Sequence, residues 1–116
     1  MANTPLRIVQ SHSGTVCIVS LEGRIDSSNS AQVLTELNSL LSSGEKRILM
    51  DFSAVLYLTS AAFRVLLVAT DDAERNAARI ALCNLASEVR ELFEMGGLLE
   101  VFAIHGSREE ALAQIG

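Results

Sequence analysis

Tryptophan is absent from this chain, tyrosine and proline occur once each, and there are only two cysteines and two histidines among 116 residues. Each scarcity closes off a class of function. Few aromatics together with a net charge of −5 exclude the basic, base-stacking surface that a nucleic-acid partner requires. Cys17 and Cys83 both sit in apolar, strand-like runs. They read as two buried thiols in a reducing cytosol, not as a disulfide framework. No apolar run is long enough to cross a bilayer, and the N-terminus lacks the basic-then-apolar pattern of a secretory signal, so a cytoplasmic domain with no membrane association is expected. No repeat, linker or low-complexity tract interrupts the sequence.

What is abundant is apolar side chain, at 49% of residues. A chain of this length and composition forms one domain with a real core, needing neither metals nor disulfides. Residues 1–5 are polar and expected to be loose, and residues 6–116 are expected to form the domain. Residues 6–10 suggest a short edge strand, followed by a turn over Ser11, His12, Ser13 and Gly14. Residues 15–21, rich in Val and Ile, read as a strand that Gly23 breaks. Asp26, Ser27, Ser28 and Asn29 cluster helix-capping types, and Val33, Leu34, Leu37, Leu40 and Leu41 then recur at helical spacing.

Residues 47–52 form the next strand, followed by a tight crossing. Ser60 opens a helix with Ala62, Phe63, Leu66, Leu67 and Ala73 on its core face. A strand at residues 79–83, a short helix around Val89, Leu92 and Phe93 stopped by Gly96 and Gly97, a strand at 99–104 and a helix at 109–115 complete the order ββαβαβαβα. Such alternation implies an α/β fold with a mixed, mainly parallel sheet of about five strands and about four helices, the helices packed largely on one face.

Enzyme chemistry is not apparent. His12 and His105 show no spacing that would bring either beside Ser60 as a general base. There is no glycine-rich phosphate loop and no Cys/His cluster with metal-ligand spacing. Asp26 and Asp51 are accounted for as capping or strand-end residues. A binding module with no catalytic residues, no metal and no cofactor is therefore expected. On chemistry alone, Ser60 at a helix start is an N-cap contributing about 1 kcal/mol. The same position would also tolerate a phosphate, because unpaired N–H groups and the helix dipole favour an anion there.

The run from Leu49 to Leu67, preceded by Leu21-Glu22-Gly23-Arg24-Ile25-Asp26 and followed by Val89-Arg90-Glu91-Leu92-Phe93-Glu94-Met95-Gly96-Gly97-Leu98, resembles the STAS domain of bacterial anti-sigma factor antagonists. The resemblance spans almost the whole chain. It implies partner switching in signal transduction and transcription regulation. Such an antagonist binds a serine-kinase anti-sigma factor of the histidine-kinase-like ATPase type, or a similar regulator. The kinase phosphorylates a serine at the start of the second helix, and a PP2C-type phosphatase restores the free form.

Aligned on Asp51-Phe52-Ser53 and Arg64-Val65-Leu66-Leu67, that serine is Ser60, with Thr59 as the alternative acceptor. The implied partner surface comprises Asp26, Ser27, Ser28, Thr59, Ser60, Ala61, Ala62 and Arg64. The family often shows Asp-Ser-Ser-Gly at this turn, whereas here the order is Thr59-Ser60-Ala61-Ala62, and Ala62 adds a methyl group where a kinase must approach. The alternative implied by these departures is a non-switching scaffold of the same fold. A monomer is expected when the domain is alone.

Overall fold

The computed structural model describes residues 5–115. The loose N-terminus expected at residues 1–5 therefore lies, apart from Pro5, outside the described residues. The elements are β1 (Arg7–Ser13), β2 (Val16–Ile25), α1 (Ser30–Ser42), β3 (Arg47–Leu58), α2 (Ser60–Arg75), β4 (Arg79–Cys83), α3 (Ser87–Met95), β5 (Ala103–His105) and α4 (Arg108–Ile115). This is the expected order. The sheet runs β1-β2-β3-β4-β5, with β1 antiparallel to β2 and every other neighbour parallel.

Strand alternation sorts the side chains to two faces. Cys17, Val19, Leu21, Ile48, Met50, Phe52, Ile80 and Leu82 face the side covered by α1, α2 and α3. Val16, Ile18, Leu49, Ala81 and Cys83 face the other side, where Ala111 and Ile115 of α4 cover them. Both faces of the central strands are thus dry, which is why they read as continuous apolar runs.

All four phenylalanines meet in one cluster. The Phe93 ring of α3 takes Phe63 edge-on at 4.9 Å, Phe102 at 5.7 Å and Phe52 at 6.2 Å between centroids. Each such pair adds about 1 kcal/mol to the burial term. The cluster fastens the start of α2 to β3 and α3, so the position of the helix N-terminus is fixed by packing.

Several boundaries differ from expectation, each for a physical reason. β1 continues through Ser11, His12 and Ser13, because these residues pair with Ile18, Cys17 and Val16. Gly23 does not break β2. It adopts φ +107°, a conformation open to glycine, beside a register shift that lets the strand continue to Ile25. β3 runs six residues past Phe52, to Leu58, and no tight crossing follows Phe52.

Two register shifts against β2 interrupt the two-residue alternation in β3, so the burial beyond Phe52 no longer repeats every second residue. β5 shrinks to Ala103, Ile104 and His105, while Leu99 and Phe102 reach the core from turns. Leu67 is not core but 39% exposed. It lies about 100° round the helix from buried Leu66, and half-buried Val65 packs against the core instead.

Candidate functional site

The C-terminal ends of β2 and β3 lie side by side. Ile25 pairs with Leu58, and the Thr59 N–H donates to the Ile25 carbonyl at 3.0 Å. The loop after β2 and the start of α2 are therefore adjacent. In that loop Asp26 Oδ1 accepts from the Ser28 N–H at 2.9 Å and from the Ser28 hydroxyl. The Asp26 N–H donates to Asn29 Oδ1 at 2.9 Å, and Asn29 Nδ2 returns a bond to the Arg24 carbonyl at 2.9 Å. The Asp26 carboxyl is held below its ordinary range, chiefly by the Ser28 hydroxyl and then by the Ser28 N–H. Asp26 thus orders the loop, and Ser27 and Ser28 stand exposed on it.

Thr59 is the N-cap of α2, and Ser60 is the first helical residue, not the cap read from sequence. The Thr59 side chain makes no capping hydrogen bond, and its hydroxyl is buried without a partner. No acidic residue occupies the first turn. The helix start therefore keeps its positive character undiminished beside an exposed serine hydroxyl.

The residues expected on the partner surface separate by exposure. Ser27, Ser28, Ser60 and Arg64 are exposed, while Asp26, Thr59 and Ala61 are half-buried. Ala62 is corrected: it is 1% exposed and faces the core, so its methyl group does not stand in an approaching partner's way.

Sequence reasoning missed the apolar surroundings. Leu56 is 59% exposed and Tyr57 39% exposed at the tip of β3, where Tyr57 lies under the Arg24 guanidinium at 4.9 Å. Arg64, Leu67, Val68 and Asp71 continue the exposed face of α2 that starts at Ser60. The signal was available for Leu67 and Val68, because the stripe through Ala62, Leu66, Ala69 and Ala73 leaves both outside it. It was not available for Leu56, whose exposure follows from a register shift.

Asp51 was also underread. It is 4% exposed in mid-β3 and faces α4. Arg108 donates to its Oδ2 through Nη2 at 2.7 Å and Nε at 3.2 Å, Asn84 Nδ2 donates at 3.3 Å to Oδ1, and the Ser53 N–H donates at 2.9 Å to Oδ1. Burial pushes the carboxyl up, but the bonds from Ser53, Arg108 and Asn84 together hold it below its ordinary value. This constellation is a structural lock between β3, β4 and α4. Among the described residues no helix is long and apolar enough to cross a membrane.

The STAS domain profile matches residues 7–111. BtrV of Bordetella bronchiseptica, provisionally named an anti-sigma factor antagonist, is 35% identical over 96 residues, which is 83% of this chain and 83% of that protein. Among solved structures, an anti-sigma factor antagonist from Mycobacterium paratuberculosis superposes with a TM-score of 0.87 at 17% identity over 98% of each chain. The unphosphorylated form of the antagonist SpoIIAA superposes at 0.77 with 20% identity over 96% of each chain. The phosphorylated form of the Bacillus protein superposes at 0.70 with 18% identity, over 97% of this chain and all of that one. At these identities the structures share the fold, and the sequence match assigns the family: the chain belongs to the STAS domain family.

Proposed function

We propose that this chain is an anti-sigma factor antagonist switched by phosphorylation at Ser60. It binds a serine-kinase anti-sigma factor of the histidine-kinase-like ATPase type, or a similar regulator. It is released when that kinase phosphorylates it and restored by a PP2C-type phosphatase. The observation that carries the reading is the placement of Ser60: an exposed hydroxyl at the first residue of α2, beside the Asp26 loop and in the midst of exposed Leu56, Tyr57, Arg64, Leu67 and Val68. The names of BtrV and SpoIIAA, and the phosphorylated form of SpoIIAA, point the same way. Ser60 is favoured over Thr59 as acceptor because the Thr59 hydroxyl is sealed from solvent.

The physics of the switch follows from where the charge falls. A phosphate adds nearly two negative charges. In the free domain, water and the uncapped start of α2 accommodate them. In a complex the same group must be desolvated against a chain already at −5. A penalty of roughly 3–4 kcal/mol weakens binding several-hundred-fold while the fold survives.

The test is peptide mass spectrometry on protein from its native cells, with Ser60→Ala alongside, and binding of Ser60→Ala and Ser60→Asp to the captured kinase. Phosphate on Ser60, with Ser60→Asp failing to bind where Ser60→Ala succeeds, is the expected result. Equal binding by the two variants sinks the switch. An unmodified Ser60 in growing and stressed cells would favour the second reading, a passive scaffold, which Thr59 and Ala61 in place of the family's Asp and second Ser support.

A further inference from the structure

A second cluster of chemistry-bearing side chains lies away from Ser60, where β1 and β2 meet the turn after α1. His12 and Cys17 are direct cross-strand partners. Glu45 enters from the turn between α1 and β3, its N–H fixed to the Leu40 carbonyl at 3.0 Å. A His12 ring nitrogen, Cys17 Sγ and a Glu45 carboxylate oxygen all lie within 4.8 Å of one another. His12 Nε2 and Glu45 Oε2 are 3.0 Å apart. Cys17 is fully buried, while the side chains of His12 and Glu45 are 54% and 24% exposed.

We propose that His12, Cys17 and Glu45 form a divalent-cation site of the zinc class, with a fourth position open to water on the exposed His12 side. A tetrahedral ion with sulfur at about 2.3 Å and nitrogen and oxygen at about 2.0–2.2 Å needs its donors roughly 3.3–3.6 Å apart. The observed spacing reaches that with small side-chain shifts. A thiolate, a carboxylate and a neutral imidazole carry two negative charges between them, matching a dication, and the S/N/O set selects zinc or cobalt over magnesium or calcium. On binding, Cys17 Sγ–H gives its proton to solvent as the S–metal bond forms, and no redox partner is needed.

Burial pushes the Cys17 thiol up, and the Glu45 and Glu36 carboxylates push it further. Nearby, Gln10 of β1 donates to Glu36 of α1. The site also explains how β1 could be secured. Its side chains are almost all exposed, so beyond the hairpin ladder only Ile8 and the Gln10–Glu36 and His12–Glu45 bonds hold it, and an ion at His12 would strengthen the tie of this edge to the turn before β3. None of this depends on the fate of Ser60.

The experiment is a cobalt titration of the full chain, purified reduced and metal-free, followed by zinc competition. One equivalent of cobalt should give a thiolate-to-metal charge-transfer band and tetrahedral visible bands, which zinc abolishes, and zinc should raise the melting temperature. His12→Asn and Glu45→Gln lose only the partly exposed, weakly stabilising His12–Glu45 bond, so both should remain folded and be compared with the wild type in metal-free buffer. Each should weaken cobalt binding by at least the roughly 10- to 100-fold that outer-shell changes cost. Cys17→Ala should abolish the charge-transfer band and Cys83→Ala should preserve it. No charge-transfer band at one equivalent, undiminished affinity in His12→Asn and Glu45→Gln, or zinc binding no tighter than about millimolar would each overturn the site.

Discussion

Arg108, the first residue of the last helix, places Nη2 2.7 Å from Oδ2 of Asp51, a carboxylate buried at the midpoint of the sheet. The pair joins residues 57 positions apart and seats α4 on the face opposite the other helices. Arg108→Met removes the charged partner and leaves the Asp51 carboxylate with only Asn84 and the Ser53 N–H. Arg108 is 42% exposed, so water partly replaces it, and the expected loss is about 2 kcal/mol by urea denaturation.

The same pair sets an acid limb. The folded-state pKa of Asp51 lies below the unfolded value of about 3.9. Its contribution is therefore complete above that value and is lost as pH falls through it toward the folded value. Stability of the wild type should decline below about pH 5 with a term that Asp51→Asn lacks. Parallel acid limbs in the two proteins would show that Asp51 carries no such linkage.

Ser60 variants should leave the fold intact. Ser60 is exposed, so Ser60→Ala should change unfolding free energy by less than about 0.5 kcal/mol. Ser60→Asp adds an anion at the start of α2, where no acidic residue now sits, and should stabilise by roughly 0.3–1 kcal/mol at low salt. A destabilised Ser60→Asp would mean that the helix start does not tolerate negative charge, which removes the physical basis of the switch.

Thr59→Val replaces a buried, unpartnered hydroxyl with a methyl group of similar shape. A gain of about 1 kcal/mol is expected, because an unsatisfied polar atom is removed and no hydrogen bond is lost. Thermal melts of the variant decide it, and a clear loss of stability would show that the hydroxyl has a partner in solution.

Helix α2 ends with Ala77 at φ +56°, where the Ala78 N–H reaches the Ala73 carbonyl at 2.8 Å and the Ala77 N–H reaches Glu74 at 3.1 Å. Helix α3 closes the same way with Gly97 in the corresponding place, at φ +70°. Ala77→Gly relieves a left-handed alanine, partly offset by a freer unfolded chain, and should gain about 0.5–1 kcal/mol in denaturant titration. An unchanged midpoint would mean the two effects cancel.

Much of this architecture was legible because its signals are local. The break in structure at residues 26–29, the apolar stripe of α1 and the Gly96-Gly97 stop each declare themselves within one helical turn, although the polar side chains at 26–29 order the loop and close no capping bond on α1. Ser60 at a helix start was legible for the same reason. What escaped notice depends on pairing. β3 looked finished at Phe52 because two register shifts break its alternation, so exposed Leu56 and Tyr57 did not read as strand. Leu99 and Phe102 are as apolar as strand residues but fill the core from turns, which left β5 three residues long. The Asp51–Arg108 bond and the meeting of His12, Cys17 and Glu45 exist only once the sheet has assembled.

β4 pairs with β3 only as far as Asp51, whereas β2 accompanies β3 to Leu58. The tip that carries Tyr57 and leads into Ser60 is therefore a cantilever, tied by one ladder where the body of the strand is tied by two. Amides in residues 53–58 should exchange with solvent faster than those of Ile48 and Met50. A protein that grips the tip would quiet those motions at an entropic cost borne locally, leaving the plinth beneath unaware of it. Compliance is expected at the end of β3 that only β2 supports, and rigidity where the Phe93 cluster and the Asp51 lock are.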